Sequence, residues 1–332
     1  MRAPPLIWVL IDDRAGNVAQ ALGVAEALQR EYGRDFKTQA IRYNPLARLP
    51  SALMGASLIG LAPETRMTFG PPWPDVVIAA GRRTAPIARW IKKNAGKPVV
   101  AVQIMSPGRR GAEDFDLIAV PRHDVEQPGG DPPNVLRITG APHRLTNARL
   151  ASAADTWAGR IVGLPRPYIA LIVGGATHRK PFPAHLARDL GEHAARLAAA
   201  QGGSILFASS RRTGSVAEKA LEATLTVPHK SFLWSKGGDN PYFGFLALAD
   251  AIIVTGDSVS MCSEACATPA PVYIYAPEGM VAPKHARLHR HLFDAGFAQP
   301  LSDRLGAGPH PPLNAANDIA RRIDDLVRRS FG

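Results

Sequence analysis

The 332-residue sequence has little cysteine, few aromatic residues and no long hydrophobic run. Its two cysteines, Cys262 and Cys266, stand four residues apart on one predicted helix, a spacing that fits a disulfide poorly. Too few ligands surround them for a zinc site, so we expect two reduced core residues. The apolar run of residues 6–11 is too short for a signal-peptide core, and no segment reaches the length of a membrane span. The sequence therefore predicts a cytoplasmic protein.

Acidic residues are also scarce relative to basic ones, which leaves a formal net charge of +11. This charge would attract nucleic acid, anionic lipid head groups or the phosphates of a nucleotide. The basic residues are spread along the chain as pairs, without an RNA-binding signature or zinc-finger spacing, so we expect no nucleic-acid partner. Peripheral contact with the anionic inner face of the cytoplasmic membrane stays open, and the apolar run of residues 53–61 suits either such contact or the core.

Short runs of valine and isoleucine alternate with amphipathic stretches, which is typical of βα units on a mostly parallel sheet. Strands are predicted at residues 6–11, 38–42, 75–80, 99–103, 117–120, 135–139, 169–173, 204–208, 251–255 and 272–275. Helices are predicted at residues 17–32, 183–201, 216–223, 258–267, 284–295 and 314–330. The chain is long enough for two domains, and the strand pattern is interrupted at residues 142–166. We expect domains over residues 1–155 and 156–310, with a final helix in residues 311–332 that could pack back on the first domain.

Ligands of open α/β sheets bind beyond the carboxyl ends of the strands, so the residues that follow each strand are the candidates for a ligand site. In the second half these segments are rich in glycine, hydroxyl and guanidinium groups, which suit phosphate oxygens. The candidate donor-side residues are Gly174, Gly175, Thr177, Ser210, Arg211, Arg212, Thr213, Thr255, Gly256, Asp257, Ser258, Ser260, Glu264, Lys284 and His285. Ser258 is placed to cap the helix that carries Glu264. Tight turns, an ordinary cap and solvated loops are the structural alternatives for the same residues.

The first half offers a second set of polar residues after its strands. Asp12 and Asp13 follow the first strand and could raise each other's pKa toward that of a general base, with Asp13 preferred; either could instead cap the next helix. The further acceptor-side candidates are Arg14, Asn17, Gln20, Gly81, Arg82, Thr84, Gln103 and Ser106. A dinucleotide-dependent dehydrogenase is not indicated, because no Gly-x-Gly-x-x-Gly follows the first strand and no acidic residue ends the second.

The second half of the chain resembles the bacterial relatives of the plant "elongated mitochondria" fission family in three segments. These segments are VTGDSVSMCSEACATPAPV at 254–272, GGAT at 174–177 and KH at 284–285. VLIDDRAGNVAQAL at 9–22 resembles the N-terminal signature of that family, so the resemblance extends over nearly the whole chain. The family is named for a plant phenotype, which does not identify an activity. The segment at 254–272 is also similar, more distantly, to the donor-binding segment of GT-B glycosyltransferases such as the lipid II synthase, in which a Glu that matches Glu264 binds ribose.

The resemblance implies a GT-B-like α/β fold, with two Rossmann-like domains whose parallel sheets face each other across a cleft. It also implies a nucleotide-sugar bound by the second half and a glycan or lipid-linked acceptor bound by the first. No metal or other cofactor is expected, and Arg211, Arg212 and Lys284 would stabilise the departing diphosphate or monophosphate. The alternatives are a non-catalytic adaptor or membrane-remodelling protein, and a sugar-nucleotide epimerase or hydrolase of the same architecture.

Overall fold

A computed structural model describes residues 4–108, 110–124, 130–177, 180–306 and 308–332, without the side chains of Ser51 and Ala52. The strands are β1 Ile7–Ile11, β2 Phe36–Ala40, β3 Val76–Ala80, β4 Val100–Ile104, β5 Leu117–Pro121, β6 Val135–Ile138, β7 Tyr168–Ile172, β8 Ser204–Ala208, β9 His229–Phe232, β10 Ala251–Thr255, β11 Val272–Tyr275 and β12 Gln299–Pro300. The helices are α1 Ala15–Tyr32, α2 Ser51–Met54, α3 Pro63–Arg66, α4 Ala85–Asn94, α5 Asn147–Ala158, α6 Ala184–Ala200, α7 Ser215–Glu222, α8 Tyr242–Leu248, α9 Val259–Ala265, α10 Pro283–Asp294 and α11 Ala315–Phe331.

The first domain contains the described residues up to Arg144 together with Asn314–Gly332. Its six-stranded parallel sheet has the order β2-β1-β3-β4-β5-β6. The inner strands β3, β4 and β5 are fully buried and almost wholly apolar, because helices cover both faces of a parallel sheet. The edge strand β2 reads Phe-Lys-Thr-Gln-Ala and is more exposed, as an edge position allows.

The C-terminal helix α11 belongs to this first domain. Its buried residues Ile319, Ile323 and Val327 join the core that contains the buried apolar face of α1. Arg34, just after α1, donates from Nη2 to the buried Asp324 Oδ1 at 2.8 Å. The chain therefore returns to its first domain after completing the second.

The second domain spans Leu145–Leu313. Its parallel sheet has the order β12-β11-β10-β7-β8-β9, so β7 lies between β10 and β8. Helix α5 packs on α8 within this domain, where the Trp157 and Phe245 rings lie 6.0 Å apart. The expected boundary between residues 155 and 156 falls inside α5, whereas the structure divides the chain before this helix.

The predicted α/β class with two Rossmann-like parallel sheets is confirmed. Strands β9 and β12 were not predicted, because β9 reads His-Lys-Ser-Phe at one sheet edge and β12 has two residues at the other. Cys262 and Cys266 are free and buried in the core of the second domain. Within the described ranges, no helix combines the length and apolar character needed to cross a bilayer.

Candidate functional site

The carboxyl ends of β10, β7 and β8 are neighbours in the second sheet, and hydrogen bonds join the segments that follow them. The Gly174 amide, after β7, donates to Thr255 Oγ1 at the end of β10 at 2.8 Å. Thr213 Oγ1, after β8, donates to Gly174 O at 3.0 Å, and Ser210 Oγ donates to the same carbonyl. Three of the segments predicted to bind the donor therefore form one connected structure.

Arg212 links these segments through its backbone and its side chain. The Ala176 amide donates to Arg212 O at 3.0 Å, and Arg212 Nη1 donates to Ala176 O at 3.3 Å. A Cβ on Gly175, whose φ is +115°, would lie 2.5 Å from Arg212 O. Glycine is therefore required at this position both by backbone conformation and by the close approach of the β8 segment.

Asp257 is a buried carboxylate at the centre of this arrangement, with 3% of its surface exposed. Arg212 Nη1 lies 2.6 Å from Asp257 Oδ2 as an ion pair, yet neither carboxylate oxygen accepts a hydrogen bond of good geometry. A Cβ on Gly174 would lie 2.4 Å from Asp257 Oδ2. Asp257 therefore holds the Arg212 guanidinium in place, and its own negative charge would repel a phosphate.

The start of α10 places His285 near Asp257 and Arg212, while Lys284 is exposed. Burial lowers the pKa of His285, with Asp257 opposing this shift and Lys284 and Arg212 adding to it. One turn later, His289 Nε2 donates to Gly256 O at 2.8 Å, and burial likewise lowers the pKa of His289. Both imidazoles are therefore neutral near pH 7, and His285 Nδ1 is buried without a hydrogen-bond partner.

Other predicted donor-side residues have different neighbours. Ser258 Oγ caps α9 by accepting from the Met261 amide at 3.4 Å, and the Thr177 amide donates to Lys180 O at 2.8 Å. Arg211 is exposed and Ser260 is half-buried. Glu264 Oε2 accepts a 2.6 Å hydrogen bond from Tyr242 Oη, and burial raises the pKa of Glu264.

In the first domain, the carboxylates after β1 meet an arginine that follows β3. Arg83 donates to both oxygens of Asp13, at 3.2 Å to Oδ2, and its Nη2 lies 3.5 Å from Asp12 Oδ2. Arg83 also stacks 4.2 Å from the centre of the Tyr43 ring. The hydrogen bond from Arg83 lowers the pKa of Asp13, so this carboxylate is ionised at neutral pH but is a weaker base than the adjacent pair implied.

Asp12 has a structural role beside this ion pair. Its side chain is nearly fully buried and accepts from the Arg14 amide and from Asn17 Nδ2, each at 2.9 Å. A Cβ on Gly81, whose φ is +84°, would lie 2.5 Å from Asn17 Nδ2, so Gly81 makes room for this contact. Asp12 therefore contacts the residues that begin α1, but Arg14 is the N-cap residue and, in the described part of the chain, no side chain caps this helix by a hydrogen bond.

The remaining acceptor-side candidates occupy several positions around this edge. Thr84 and Gln103 are buried and both donate to Gly81 O, at 2.9 and 3.1 Å. Arg82 is exposed and donates from Nη1 to Leu49 O at 2.7 Å. Gln20 Oε1 and Gln103 Oε1 are buried without hydrogen-bond partners, while Ser106 Oγ accepts from the Gly108 amide.

Sequence reasoning missed Arg83, Tyr43, Tyr242 and Trp234. The Arg82-Arg83 pair was visible, but only the structure shows that Arg83 is the one that reaches the carboxylates. Trp234 follows the unpredicted strand β9, is half-exposed, and donates its backbone amide to Ser209 Oγ at 2.8 Å. Among the residues that the structure describes, no three His, Cys, Asp or Glu side chains are grouped as metal ligands.

Solved structures with this architecture include the UDP-GlcNAc 2-epimerase of Methanocaldococcus jannaschii, in complex with UDP-GlcNAc and UDP. It is 12% identical, covers 97% of this chain and 99% of its own, and gives a TM-score of 0.53. The glycotransferase of kitacinnamycin is 14% identical, with full coverage of both chains and a TM-score of 0.52. At these identities the similarity concerns the GT-B fold alone.

Relatives by sequence extend over most of the chain. The mitochondrial fission protein ELM1 of Arabidopsis thaliana is 31% identical over 82% of this chain and 68% of its own length. The uncharacterized protein RP120 of Rickettsia prowazekii (strain Madrid E) is 29% identical over 96% of this chain and 97% of its own. The family model described as "Mitochondrial fission ELM1" matches residues 15–327. The chain therefore belongs to the mitochondrial fission ELM1 family.

Proposed function

We propose that this protein is a metal-independent glycosyltransferase of the GT-B type. It transfers a sugar from a nucleotide-sugar to an envelope glycan or a lipid-linked acceptor. The observation that carries the proposal is the junction of the β7, β8 and β10 ends around Arg212, because guanidinium, hydroxyl and glycine backbone groups meet there at one edge of a parallel sheet. In the M. jannaschii epimerase, a protein of similar fold binds UDP-GlcNAc and UDP.

The diphosphate of the donor would lie against the segments after β7 and β8. Breaking the bond between the anomeric carbon and the phosphate oxygen leaves negative charge on the phosphate, which Arg212 and Lys284 would stabilise. Asp257 holds Arg212 through the 2.6 Å ion pair, so the guanidinium is already in place before the donor binds. Arg211, which is exposed and precedes Arg212 in the chain, would add a third positive charge.

The nucleoside would be held by neighbouring groups. The Glu264 carboxylate would accept hydrogen bonds from ribose hydroxyls, with Tyr242 fixing its orientation. Trp234 offers an exposed indole face at the same sheet edge, anchored through Ser209, on which a nucleobase can stack. Replacing Trp234 with Ala should therefore weaken nucleotide binding while Trp234→Phe retains most of it.

In the first domain, Asp13 would accept the proton of the acceptor hydroxyl as that oxygen attacks the anomeric carbon. Arg83 donates to both oxygens of Asp13, but Asp13 is the exposed member of the carboxylate pair. Asp12, by contrast, is buried and engaged by Arg14 and Asn17. Asp13→Asn should abolish turnover without changing nucleotide binding. Asp12→Asn should lower stability first, because it weakens the start of α1.

Two other functions are favoured by specific observations. The family description concerns mitochondrial fission, which favours a non-catalytic adaptor, and the solved neighbours include an epimerase. Product analysis separates them from a transferase. Transfer yields free nucleotide and a modified acceptor, epimerisation yields an isomeric sugar, and an adaptor yields neither.

The first experiment is a thermal-shift series with UDP-, GDP-, dTDP-, ADP- and CMP-sugars. A ligand that binds only the native state at about 100 times its Kd stabilises the protein by about 2.7 kcal/mol, which is a rise of several degrees. The double variant Arg212→Gln/Asp257→Asn should lose this rise. It removes both charges together, so no buried carboxylate is left unpaired.

The matched control is Arg304→Gln, an exposed arginine of the same domain outside the site, which should keep the full shift. If no nucleotide-sugar raises the melting temperature of the wild-type protein, the transferase proposal fails. An equal shift in the double variant would remove the assignment of the phosphate site.

A further inference from the structure

A group of large apolar side chains is exposed on the first domain between β2 and β3. Five of the nine large hydrophobic side chains that are exposed in the described residues lie here: Leu46, Leu49, Leu53, Ile59 and Met67. Leu53 and Met67 are 72% and 87% exposed. Single exposed leucines are ordinary on soluble proteins, but a cluster within one segment indicates a contact surface.

Hydrogen bonds hold the parts of this segment together. Asn44 Nδ2 donates to Ile59 O at 2.7 Å and to Leu61 O at 2.9 Å, so the residues around Leu46 lie against those around Ile59. Arg66 donates from Nη2 to Ile59 O at 2.7 Å, which brings the end of α3, next to Met67, to the same place. The chain around Leu46, Ile59 and Met67 is therefore joined by hydrogen bonds, and Met54, next to Leu53, lines one cavity with Leu49 and Leu61.

Positive charges are interleaved with these apolar groups. Arg42, Arg48, Arg66 and Arg82 are exposed, and the Arg66 and Arg82 guanidinium groups are fixed beside Ile59 and Leu49 by hydrogen bonds to their carbonyls. Glu64 is the one acidic residue between positions 42 and 67. We call this surface the basic apolar face; its residues are Arg42, Leu46, Arg48, Leu49, Leu53, Ile59, Arg66, Met67 and Arg82.

We propose that the basic apolar face rests on an anionic lipid bilayer. The side chains of Leu53, Met67 and their neighbours would enter the boundary between head groups and acyl chains, while the arginines contact lipid phosphates. Apolar side chains ringed by guanidinium groups match this boundary, which is apolar on one side and negatively charged on the other. A hydrophilic acidic partner would pair with the arginines but would leave the apolar side chains exposed to water.

The face adjoins the acceptor-side residues of the first domain. A narrow cavity lined by Tyr43, Leu49, Met54, Arg82 and Arg83 lies behind it, and Arg83 is the residue that pairs with Asp13. Contact with a bilayer would therefore place the Asp12-Asp13 edge close to lipid head groups. Bilayer binding does not require transferase activity, so the two proposals can fail separately.

The test is flotation of the purified full chain with vesicles of phosphatidylcholine alone or of phosphatidylcholine with phosphatidylglycerol. We expect binding to the anionic vesicles only, weakening as salt is raised. Arg48→Glu should weaken binding by at least about fivefold, since one basic residue near an anionic surface contributes about that factor. Leu53→Ser/Met67→Ser should weaken it by about tenfold or more, since two exposed apolar side chains lose their insertion.

Matched controls lie on the second domain. Val216→Ser replaces a side chain that is 71% exposed, and Arg304→Glu reverses an exposed charge; both should bind as wild type. All variants should keep their melting temperature and any nucleotide-induced shift, because the changed side chains are exposed and outside the donor site. Failure of the wild-type chain to float with anionic vesicles overturns the proposal, as does equal loss in the Val216 and Arg304 controls.

Discussion

Gly174 and Asp257 are in contact in a way that only glycine permits. The carboxylate of Asp257 occupies the space that a Cβ on residue 174 would need, and the same carboxylate pairs with Arg212. The packing of the segment after β7 therefore depends on the absence of a Cβ at Gly174.

Gly174→Ala should therefore destabilise the protein by about 1–3 kcal/mol, as overpacking does, and displace Arg212 from its position. Denaturant unfolding measures the first effect and nucleotide-induced thermal shift the second. Gly70→Ala is the matched control, because a Cβ there meets nothing within 4 Å. Equal stability of the Gly174 and Gly70 variants would contradict the assignment.

Replacing Glu264 with Gln should have the opposite effect on stability, because burial of its ionised carboxylate lowers the stability of the folded state. Its pKa is raised above the ordinary value of 4.5, so the protonated form is favoured by folding. The corresponding stability is present below pH 4.5 and is lost as pH rises through the folded-state pKa. Glu264→Gln keeps an acceptor for Tyr242 Oη and should melt at or above wild type at neutral pH, yet bind nucleotide more weakly.

Glu264→Ala is the comparison, since it leaves the Tyr242 hydroxyl without this partner at a cost of about 1–3 kcal/mol. Melting curves at neutral pH order the three proteins. A Gln variant less stable than the Ala variant would show that the carboxylate charge itself supports the fold.

At the scale of elements, α10 combines several basic side chains with the half-buried His285 and the buried His289. His285 and His289 have pKa values lowered from 6.5, chiefly by burial, so the unfolded chain binds their protons more readily than the folded one. The stability conferred by the neutral rings is complete above pH 6.5 and is lost as pH falls through the lower folded-state values.

We therefore expect the free energy of unfolding to decline below about pH 6.5, with a smaller decline in His285→Gln. Chemical denaturation at a series of pH values tests this expectation. His185→Gln, which replaces an exposed histidine at the start of α6, is the matched control for removing an imidazole outside α10. Identical profiles for wild type and His285→Gln would remove His285 as the cause.

At the scale of the whole molecule, the residues that we propose to bind the donor and the acceptor belong to separate domains. A nucleotide that binds the second domain should slow amide hydrogen exchange at the ends of β7, β8 and β10, because bound segments open less often. Exchange at the buried strands of the first domain should change little. Protection confined to the Asp12-Asp13 segment would place the nucleotide in the first domain and contradict the proposed function.

Much of the fold follows from sequence because buried parallel strands are continuous apolar runs, as at β3, β4, β7 and β10. Strand β9 could not be found this way, since an edge strand is free to carry His229, Lys230 and Ser231. The segments after the strands were also visible, because glycines and hydroxyl residues follow apolar runs directly. The sequence did not show that these segments form one hydrogen-bonded network. That depends on the strand order, which places β7 between β8 and β10 although β10 is far from β7 along the chain.

The sequence by itself determined the α/β class, the positions of the inner strands and the polar segments that follow them, since these are set by local composition. Tertiary structure decided that Arg83 pairs with Asp13, that Asp257 holds Arg212, and that α11 returns to the first domain. These contacts join residues far apart along the chain, and their geometry depends on which helices and strands pack together. Local sequence patterns do not specify which distant residues come into contact.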